Sequence, residues 1–485
     1  MAIDVPDHFC DGWYVMNLLA EQDGMSRWWR IVKESLAGEE RDWTAMNVRR
    51  AIVLLSIPMI LEMGMEAVFA LVDIFFVSRL GEEAIAVVGL TELLLTFVYS
   101  VAWGLGMGIT SVVARRTGEK DPGGAAQAAM QGLLLTIVLG VAMAIPGVLF
   151  PQELLGLMNA EEAVQELGSG YVRLMFGSNL IILLLFSINA VFRGAGDAAM
   201  AMRTLMLANG INIVLCPIMI HGIGGWEGFG VTGAALATTI GRGTGVVYQV
   251  MRLFGKRSGI NLRGVPFALR PAVMWTIVRV SLGGVVQFIL PSISWMFLGS
   301  IVATFGSAAT AGYTVAVRIM IFSLLPSWGM ANAASTLVGQ NLGAGQPDRA
   351  QRSAWLCGHF NMVYLVCVAV FYWLFAPVLV GFFSEGDVPA GYGVSALRIL
   401  CLGYFFYGYG MVLAQAFNGA GDTLTPTWMN AFCFLLLQIP LAWYLSGQVG
   451  WGAQGAFAAV PISESILAVI SAVIFQRGRW KLVKV

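Results

Sequence analysis

The chain has 485 residues, of which 58% are hydrophobic and only 12% charged, and its formal net charge at neutral pH is zero. A soluble domain carries about 25% charged residues, so the repeated long apolar runs predict a polytopic membrane protein. No basic arm or stripe is present, and we expect no nucleic-acid partner. The three histidines are scattered, and the six cysteines lie mostly inside apolar runs without a CxxC pair. We therefore expect neither a resident metal nor disulfides.

Residues 1–45 are polar and irregular, and they are predicted to form a cytoplasmic tail. Residues 1–20 hold three aspartates and lack a basic start, so no cleavable signal peptide is expected. Within the tail, the stretch MSRWWRIVKESL sets Trp28, Trp29 and Ile31 against Arg27 and Arg30. This pattern predicts a surface helix at the membrane interface, with a tail helix packed on the protein as the alternative.

The first apolar span carries three carboxylates. At 100° per residue, Glu62, Glu66 and Asp73 lie within roughly 40° of one another on one helix face. Each would cost about 2.5–3.5 kcal/mol at the centre of a bilayer, and buried membrane carboxylates are functional by default. We expect this face to point into a wet, protein-lined cavity. The alternative is that two of the three are merely satisfied by hydrogen bonds.

Twelve apolar spans follow one another along the chain. If the N-terminus is cytoplasmic, most of the 28 basic residues fall on that same side, and the opposite loops are acidic. We therefore predict a multi-pass protein of the inner cell membrane with both termini in the cytoplasm. The spans lie at residues 52–77, 84–113, 124–149, 168–192, 199–222, 230–253, 275–303, 309–339, 351–380, 390–416, 424–446 and 452–476.

An internal repeat divides these spans into two sets of six. Residues 192–197 read FRGAGD and residues 417–422 read FNGAGD, an offset of 225 that also pairs Trp103 with Trp328 and Gly118 with Gly343. GVTGAALA at 230 matches GAQGAFAA at 452, an offset of 222. Because six is even, both halves enter the membrane from the same side as parallel repeats. In the GAGD turns we expect glycine to supply the turn geometry and Asp197 and Asp422 to cap the next helix.

The repeat predicts an all-α membrane protein with twelve transmembrane helices in two pseudo-symmetric six-helix bundles around a central cleft. The predicted organisation is a tail at 1–45, an N-terminal bundle at 46–253, a cytoplasmic linker at 254–274, a C-terminal bundle at 275–478 and a tail at 479–485. Two such bundles facing each other have the geometry of alternating access, with substrate and ion sites near the repeat interface.

The two halves differ in their acidic residues. Under the offset of 225, the carboxylates of the first span fall on Gln287, Pro291 and Leu298, so the acidic site belongs to the N-terminal half alone. This favours a function over a folding role for them. A second offset, of 222, matches Arg242 with Glu464; they either pair with each other across the halves or pair locally.

The second half supplies the predicted substrate side of the cleft. The stretch GYFFYGYG at 403–410 places Phe405, Phe406 and Tyr407 in the tenth span, where they either pack or hold flat apolar cations. With Gln287 they are the predicted substrate-cleft residues. Pro58 interrupts the first span and is predicted to act as a hinge.

Several of these motifs resemble the multidrug and toxic compound extrusion (MATE) transporters. The matching features are P-x14-D from Pro58 to Asp73, D-x-x-F-V-x-x-L-G after it, the two GAGD turns, N-x-x-x-x-P from Asn212 to Pro217, and G-A-A-x-A-T ending at Thr238. The resemblance covers roughly residues 46–478. It implies a cation site of Asp73, Asn212 and Thr238 in the N-terminal half, with Glu66 and Glu62 as further coupling candidates.

Two departures from the family pattern concern the coupling ion. The residue before Pro217 is often Asp in one subgroup and is Cys216 here, and another subgroup has a Glu in the seventh span where Ser292 stands here. The resemblance implies a coupling ion, H⁺ or Na⁺, with any sodium held by Asp73, Asn212 and Thr238.

The function predicted from sequence and resemblance together is secondary active antiport. Small organic cations or drugs leave in exchange for H⁺ or Na⁺, without a cofactor, and a monomer in the lipid bilayer is expected. A lipid-linked oligosaccharide flippase of the same superfamily is the alternative, but it would need a basic cleft to meet pyrophosphate. An enzyme is not expected, because no nucleophile–base set or metal cluster is present.

Overall fold

The computed structural model describes residues 24–38, 41–255, 259–383 and 386–485, and nearly all of these residues are helical. Helices are expected for apolar runs in lipid, because each backbone polar group must be satisfied within its own segment. The helices in chain order are α1 (Gly24–Ala37), α2 (Val48–Val77), α3 (Glu82–Gly118), α4 (Pro122–Leu149), α5 (Pro151–Leu157), α6 (Glu162–Gly177), α7 (Asn179–Ala195), α8 (Ala198–His221), α9 (Val231–Leu253), α10 (Pro271–Ala303), α11 (Ser307–Gly343), α12 (Pro347–Gly381), α13 (Asp387–Cys401), α14 (Tyr404–Ala420), α15 (Leu424–Gln448) and α16 (Ala453–Gln476).

Every one of the twelve predicted spans coincides with a helix or a joined pair of helices. Among the described residues, ten helical stretches are long and apolar enough to cross a membrane, with α6 and α7 counted together. The pair α13 and α14, bent by 57° at its break, adds an eleventh. The remaining span is α9, which is less apolar because it contains Arg242 and Arg252, but its 23 residues can cross the apolar layer.

The two halves repeat each other in detail at their GAGD turns. Gly196 follows the last residue of α7, and Gly421 follows the last residue of α14. Each has a φ of 88°, a conformation that favours glycine. Asp197 then accepts a hydrogen bond from the Met200 amide at 3.1 Å, and Asp422 accepts one from the Thr425 amide at 3.2 Å. The predicted capping role of both aspartates is therefore confirmed.

Large buried clusters lie in each half and between the halves. The outer part of the first half packs around residues such as Val87 and Phe186, and the corresponding part of the second half packs around Tyr313 and Phe457. A third cluster lies mainly in the first half but includes Ile277 of α10, and a fourth lies in the second half. A fifth cluster, which includes Leu55 of α2 and Ala334 of α11, draws on both halves. Apolar surface is therefore buried both within each half and between the halves.

The halves meet at the face that carries the segment before α2 and the C-terminal residues, which we call the inner face and which is predicted to be cytoplasmic. Gln340 Nε2 donates to the Gly194 carbonyl at 2.9 Å, and Thr336 Oγ1 donates to the Arg193 carbonyl at 3.1 Å. A Cβ at Gly118 would lie 2.0 Å from the Gln340 carbonyl oxygen, so only glycine permits this approach. Its repeat mate Gly343 packs in the same way on α3. The structure is closed at this face.

The N-terminal helix packs on the protein, the second of its two predicted positions, and its place at the membrane interface stays a prediction. Ser35 Oγ of α1 donates to the Leu54 carbonyl at 2.6 Å, while Trp29 is 65% exposed. Glu34 pairs with Arg41 at 2.6 Å and with Arg50 at 2.7 Å. Slight burial alone would raise the pKa of Glu34, but these two guanidinium groups outweigh it and lower the pKa. The side chain of Trp28 lies outside the described residues.

The segment after α1 joins both halves at the inner face. Arg203 of α8 donates to the Ala37 carbonyl at 2.7 Å, and Arg349 of α12 donates to the Trp43 carbonyl at 3.0 Å. Between these points, Asp42 pairs with Lys120 at 3.3 Å. The linker predicted at 254–274 is described except for 256–258, and the Ala268 carbonyl in it accepts a hydrogen bond from the α4 side chain Gln131 at 3.0 Å.

Candidate functional site

The residues implied by the family resemblance meet around Asp73. Thr238 Oγ1 of α9 donates to Asp73 Oδ2 at 3.0 Å, and Asn212 Nδ2 of α8 donates to Asp73 Oδ1 at 3.4 Å. Asn212 Nδ2 also lies 3.3 Å from Thr238 Oγ1. Helices α2, α8 and α9 therefore bring a carboxylate, an amide and a hydroxyl to one point, although the three residues are far apart in the chain.

The position where family members often carry a second acid is also part of this site. Cys216 is fully buried, and its Sγ lies 3.9 Å from Asp73 Oδ1. A thiol is only a weak hydrogen-bond donor and brings no charge here. Asp73 is therefore the single carboxylate among these four side chains.

Glu66 lies beside a buried arginine of α9. Arg242 Nη2 is 3.7 Å from Glu66 Oε2, and Arg242 Nη1 donates to the Tyr99 hydroxyl at 2.9 Å. The guanidinium also covers the ring of Phe69, with its central carbon 4.5 Å from the ring centroid. Arg242 pairs within its own half and not with Glu464, so local pairing, the second of the two alternatives left open, holds for Arg242.

Glu62 belongs to a different network from the other two carboxylates. Its Oε1 is 2.8 Å from Arg193 Nη1 and accepts a hydrogen bond from Asn189 Nδ2 at 3.2 Å. Gln249 of α9 in turn donates to Asn189. The Glu62 side chain is 1% exposed, whereas Glu66 is 19% exposed. The three carboxylates predicted on one face of α2 thus meet different helices. Glu62, at the inner end, contacts α7, whereas Glu66 and Asp73, further out, contact α9.

Gln287 occupies in the second half the position that Glu62 occupies in the first. Its Nε2 donates to Asn418 Oδ1 at 3.1 Å and to the Thr423 carbonyl at 3.0 Å, and its Oε1 accepts from Asn418 Nδ2 at 3.0 Å. The side chain is buried at 7% exposure. Its hydrogen bonds are satisfied within the bundle, and its role as a substrate contact stays a prediction.

The three predicted cleft aromatics of α14 do not point in one direction. Phe405 and Phe406 are 46% and 38% exposed and meet edge to face, with ring centroids 5.1 Å apart. Tyr407 turns the other way, and its hydroxyl interacts with the carboxyl of Glu464 on α16. A joint role of these aromatics in holding substrate remains a prediction, and Tyr407 has a partner that the sequence pattern did not indicate.

Three further aromatic rings lie where the halves approach each other, and the sequence reasoning did not assign them to the cleft. Trp103 of α3 contacts Phe288 of α10 and Trp328 of α11, with ring centroids 5.6 and 5.4 Å apart, and Phe288 lies 5.2 Å from Trp328. The signal that could have identified them is the repeat itself, because it pairs Trp103 with Trp328. A cavity of about 20 Å³ next to Trp103 is also bordered by Arg193 and Thr336.

Pro58 lies inside the continuous helix α2, where its ring leaves the helix unbroken. It borders a narrow space between α2, α1 and the GAGD turn at Gly196. Its predicted hinge role remains a prediction. No group of three or more His, Cys, Asp or Glu side chains suited to a metal ion occurs within the described ranges.

The chemistry available around Asp73 is that of a small-cation site. The carboxylate and the Asn212 and Thr238 side chains offer oxygen atoms, and Asn212 Oδ1 is buried without a hydrogen-bond partner. Oxygen ligands suit hard cations, and a carboxylate also accepts a proton. These side chains are therefore chemically suited to bind a proton or a small metal cation, and the cation-site role of Asp73, Asn212 and Thr238 stays a prediction.

Known proteins with similar sequences and structures are transporters. The MatE family model matches residues 58–218 and 285–444, one match in each half. The probable multidrug resistance protein YoeA of Bacillus subtilis is 24% identical over 426 residues, which are 87% of this chain and 92% of that protein. The FAD transporter of Shewanella oneidensis is 25% identical over 431 residues, which are 89% of this chain and 95% of that protein.

A solved structure extends the similarity to three dimensions. It is an outward-facing conformation of a multidrug resistance MATE family transporter of the MOP superfamily. Its sequence is 31% identical, and the match covers 90% of this chain and 96% of that chain with a TM-score of 0.84.

Proposed function

This chain belongs to the MatE family of multidrug efflux transporters, and from that premise we propose that it exports organic cations by secondary active antiport. The single observation that carries the proposal is the contact of the Asp73 carboxylate with Thr238 and Asn212. A coupling ion that neutralises Asp73 changes the stability of this contact. A ligand shifts a conformational equilibrium only through such a difference between states.

We take the proton as the coupling ion. Thr238 and Asn212 both direct donors at Asp73, and the guanidinium of Arg242 is close enough to act on its charge. A proton needs only one carboxylate oxygen, whereas sodium needs several oxygens turned towards it. A sodium ion bound by Asp73, Asn212 and Thr238 is the competing form of the proposal, and it requires the Asn212 amide to turn its oxygen to the ion.

In the transport cycle, the two halves would alternately separate at the inner and outer faces. The hydrogen bonds from Gln340 and Thr336 to the Arg193–Gly194 turn close the inner face in this conformation. Opening that face requires these bonds and the Gly118 contact to break together. The proposal places the protein in the cell membrane with both termini in the cytoplasm, acting as a monomer.

The charge of the buried residues favours an organic cation over the pyrophosphate of a lipid-linked oligosaccharide. The two buried arginines of the first half are already balanced, since Arg193 pairs with Glu62 and Arg242 pairs with Glu66. Asp73 and Glu464 remain without an ion-pair partner among the described residues. The buried charge therefore has an acidic surplus, which attracts a cation and repels phosphate groups.

The experiment that tests the proposal is ethidium efflux from proteoliposomes that contain the purified protein. An imposed pH gradient should drive efflux, a protonophore should abolish it, and removal of sodium should leave it unchanged. If efflux continues in the presence of the protonophore but stops when sodium is removed, the coupling ion is sodium and not the proton. Efflux driven by neither gradient would refute antiport.

A further inference from the structure

Glu464 is a buried carboxyl that the proposed mechanism does not use. It lies in α16 with 5% of its surface exposed. Within the described ranges no Lys, Arg or His lies at ion-pair distance from it. An isolated ionised carboxylate in an apolar interior is costly, and the cost is removed when the group takes up a proton or binds a cation.

The groups that face Glu464 come from two neighbouring elements. Tyr407 of α14 directs its hydroxyl at the carboxyl, and Cys433 in the π-helical turn Ala431–Gln438 of α15 is near enough to respond to its charge. Gln438 ends that turn and is buried without a partner for either side-chain amide atom. Ser463, next to Glu464 in the chain, also has a buried hydroxyl without a partner.

The repeat shows that this position has changed its charge between the halves. Glu464 corresponds to Arg242 under the offset of 222, and Leu298 corresponds to Asp73 under the offset of 225. The first half has its uncompensated acid on its first span and a base on its sixth. The second half has an apolar first span and an acid on its sixth. Among the described residues, each half therefore has a carboxyl without an ion-pair partner inside its helices, the half-buried Asp73 in the first half and the buried Glu464 in the second.

We propose that Glu464 is a second proton-binding site of the transporter, located in the C-terminal half and switched together with Asp73 during the cycle. Tyr407 is suited to both states because a phenol both donates and accepts. Its O–H donates to the carboxylate when Glu464 is ionised, and its oxygen accepts from the carboxyl O–H when Glu464 is neutral. The enclosure of Glu464 suits a proton better than an organic cation.

The inference rests on the proposed antiport and specifies its stoichiometry. One proton enters on Asp73 and one on Glu464 for each organic cation that leaves, so one net positive charge moves inward per cycle. A transporter with Asp73 as its only proton site would exchange one proton for one organic cation, with no net movement of charge. The two cases differ in the number of protons released when the organic cation binds.

The test counts the protons that the purified full-length protein releases into weakly buffered detergent solution when tetraphenylphosphonium is added at saturation. We expect about one proton fewer per protein from Glu464→Gln than from the wild type, and about one fewer from Asp73→Asn. The double variant should release none. The exposed carboxyl of Glu83 provides the matched control, and Glu83→Gln should release as many protons as the wild type.

A second variant keeps the test decisive if Glu464→Gln does not fold. Tyr407→Phe removes only the hydroxyl, so Glu464 should keep its proton and the release should again fall by about one. Wild-type release from both Glu464→Gln and Tyr407→Phe would overturn the inference. If Asp73→Asn alone lowers the count, the proposed antiport stands without a second site; if even the wild type releases no protons, proton coupling fails altogether.

Discussion

The two halves of this transporter join equivalent helices through different polar contacts, an ion pair in the first half and neutral amides in the second. In the first half, α2 is joined to α7 by the Glu62–Arg193 ion pair at 2.8 Å. At the equivalent place in the second half, α10 is joined to α14 by two amide hydrogen bonds between Gln287 and Asn418 at 3.0 and 3.1 Å. Both residues of one pair align with those of the other under the offset of 225. The fold needs a hydrogen-bonded pair here, not a charge.

At the Asp73 position, by contrast, the second half has no polar contact that replaces the carboxylate. Leu298, the repeat mate of Asp73, is fully buried in the core of the second half, so the fold is satisfied by an apolar side chain at this depth. A carboxylate in that place lowers the stability of the folded protein, so its presence favours a functional role. The comparison therefore separates Glu62, whose ion pair has a hydrogen-bonded amide counterpart in the second half, from Asp73, whose counterpart is apolar and which we assign to transport. The predicted coupling role of Glu62 stays a prediction.

The largest expected effect is that of Asp73→Asn, which should reduce gradient-driven ethidium efflux at least about tenfold because the amide takes up no proton. The variant should still insert and unfold at the wild-type temperature or above it, since it removes a buried charge. Efflux from reconstituted, purified protein measures this. Leu298→Asn is the matched control in the other half, and it should retain efflux. If Asp73→Asn transports ethidium at the wild-type rate, Asp73 is not the coupling residue.

Next in size is the stability change of Glu62→Gln. Removal of one partner leaves the Arg193 charge buried, at a cost of about 3–5 kcal/mol in the free energy of unfolding. The double variant Glu62→Gln with Arg193→Asn copies the amide pair of the second half and should recover all but about 1 kcal/mol of that loss. Chemical unfolding in detergent compares them. A double variant no more stable than the single one would mean that the charges themselves are needed.

A smaller effect is expected from Glu66→Gln, whose repeat mate is Pro291. The change removes the negative partner of Arg242 and leaves that positive charge to act on Asp73. The proton should then leave more easily, and the pH midpoint of transport should move down by about one unit or less. The measurement is a pH profile of efflux in vesicles. A lower maximal rate at an unchanged midpoint would make Glu66 a substrate contact or a structural residue.

The smallest effect concerns the segment that joins the halves at the inner face. The hydroxyl of Thr44 donates a hydrogen bond that lowers the pKa of Asp42 against the opposing effect of burial, and the Thr44 backbone amide and Lys120 contribute further. Because the pKa is lowered on folding, the stabilisation is present at neutral pH and lost only as the pH falls below the usual carboxyl range. Asp42→Asn should cost less than about 1 kcal/mol, since Lys120 is largely exposed.

Limited proteolysis of the tail at neutral pH measures that change, with Asp348→Asn as the control. Asp348 pairs with Lys481 at the same face but is 96% exposed. Equal cleavage of the tail in wild type and Asp42→Asn would show that Asp42 does not hold this segment in place.

The sequence by itself predicted the helical architecture and the residues that meet around Asp73. Length and apolarity predicted every described helix that is long and apolar enough to cross a membrane, because a lipid-embedded backbone has few alternatives to a helix. The GAGD repeat predicted both helix caps, since their geometry is local and depends on glycine and aspartate alone. The family motifs also predicted that Asp73, Asn212 and Thr238 lie together, and the structure brings them into contact.

Only the tertiary structure decided which neighbour each buried charge meets. Helical periodicity placed Glu62, Glu66 and Asp73 on one face, but it contains no information about which helix crosses that face at each depth. Arg193 follows Glu62 by 131 residues and reaches it only because α7 crosses α2 at that level. Glu464 likewise acquires Tyr407 through the packing of α16 on α14. The physical reason is that the electrostatic free energy of a buried charge depends on the groups around it. Those groups are side chains distant in sequence.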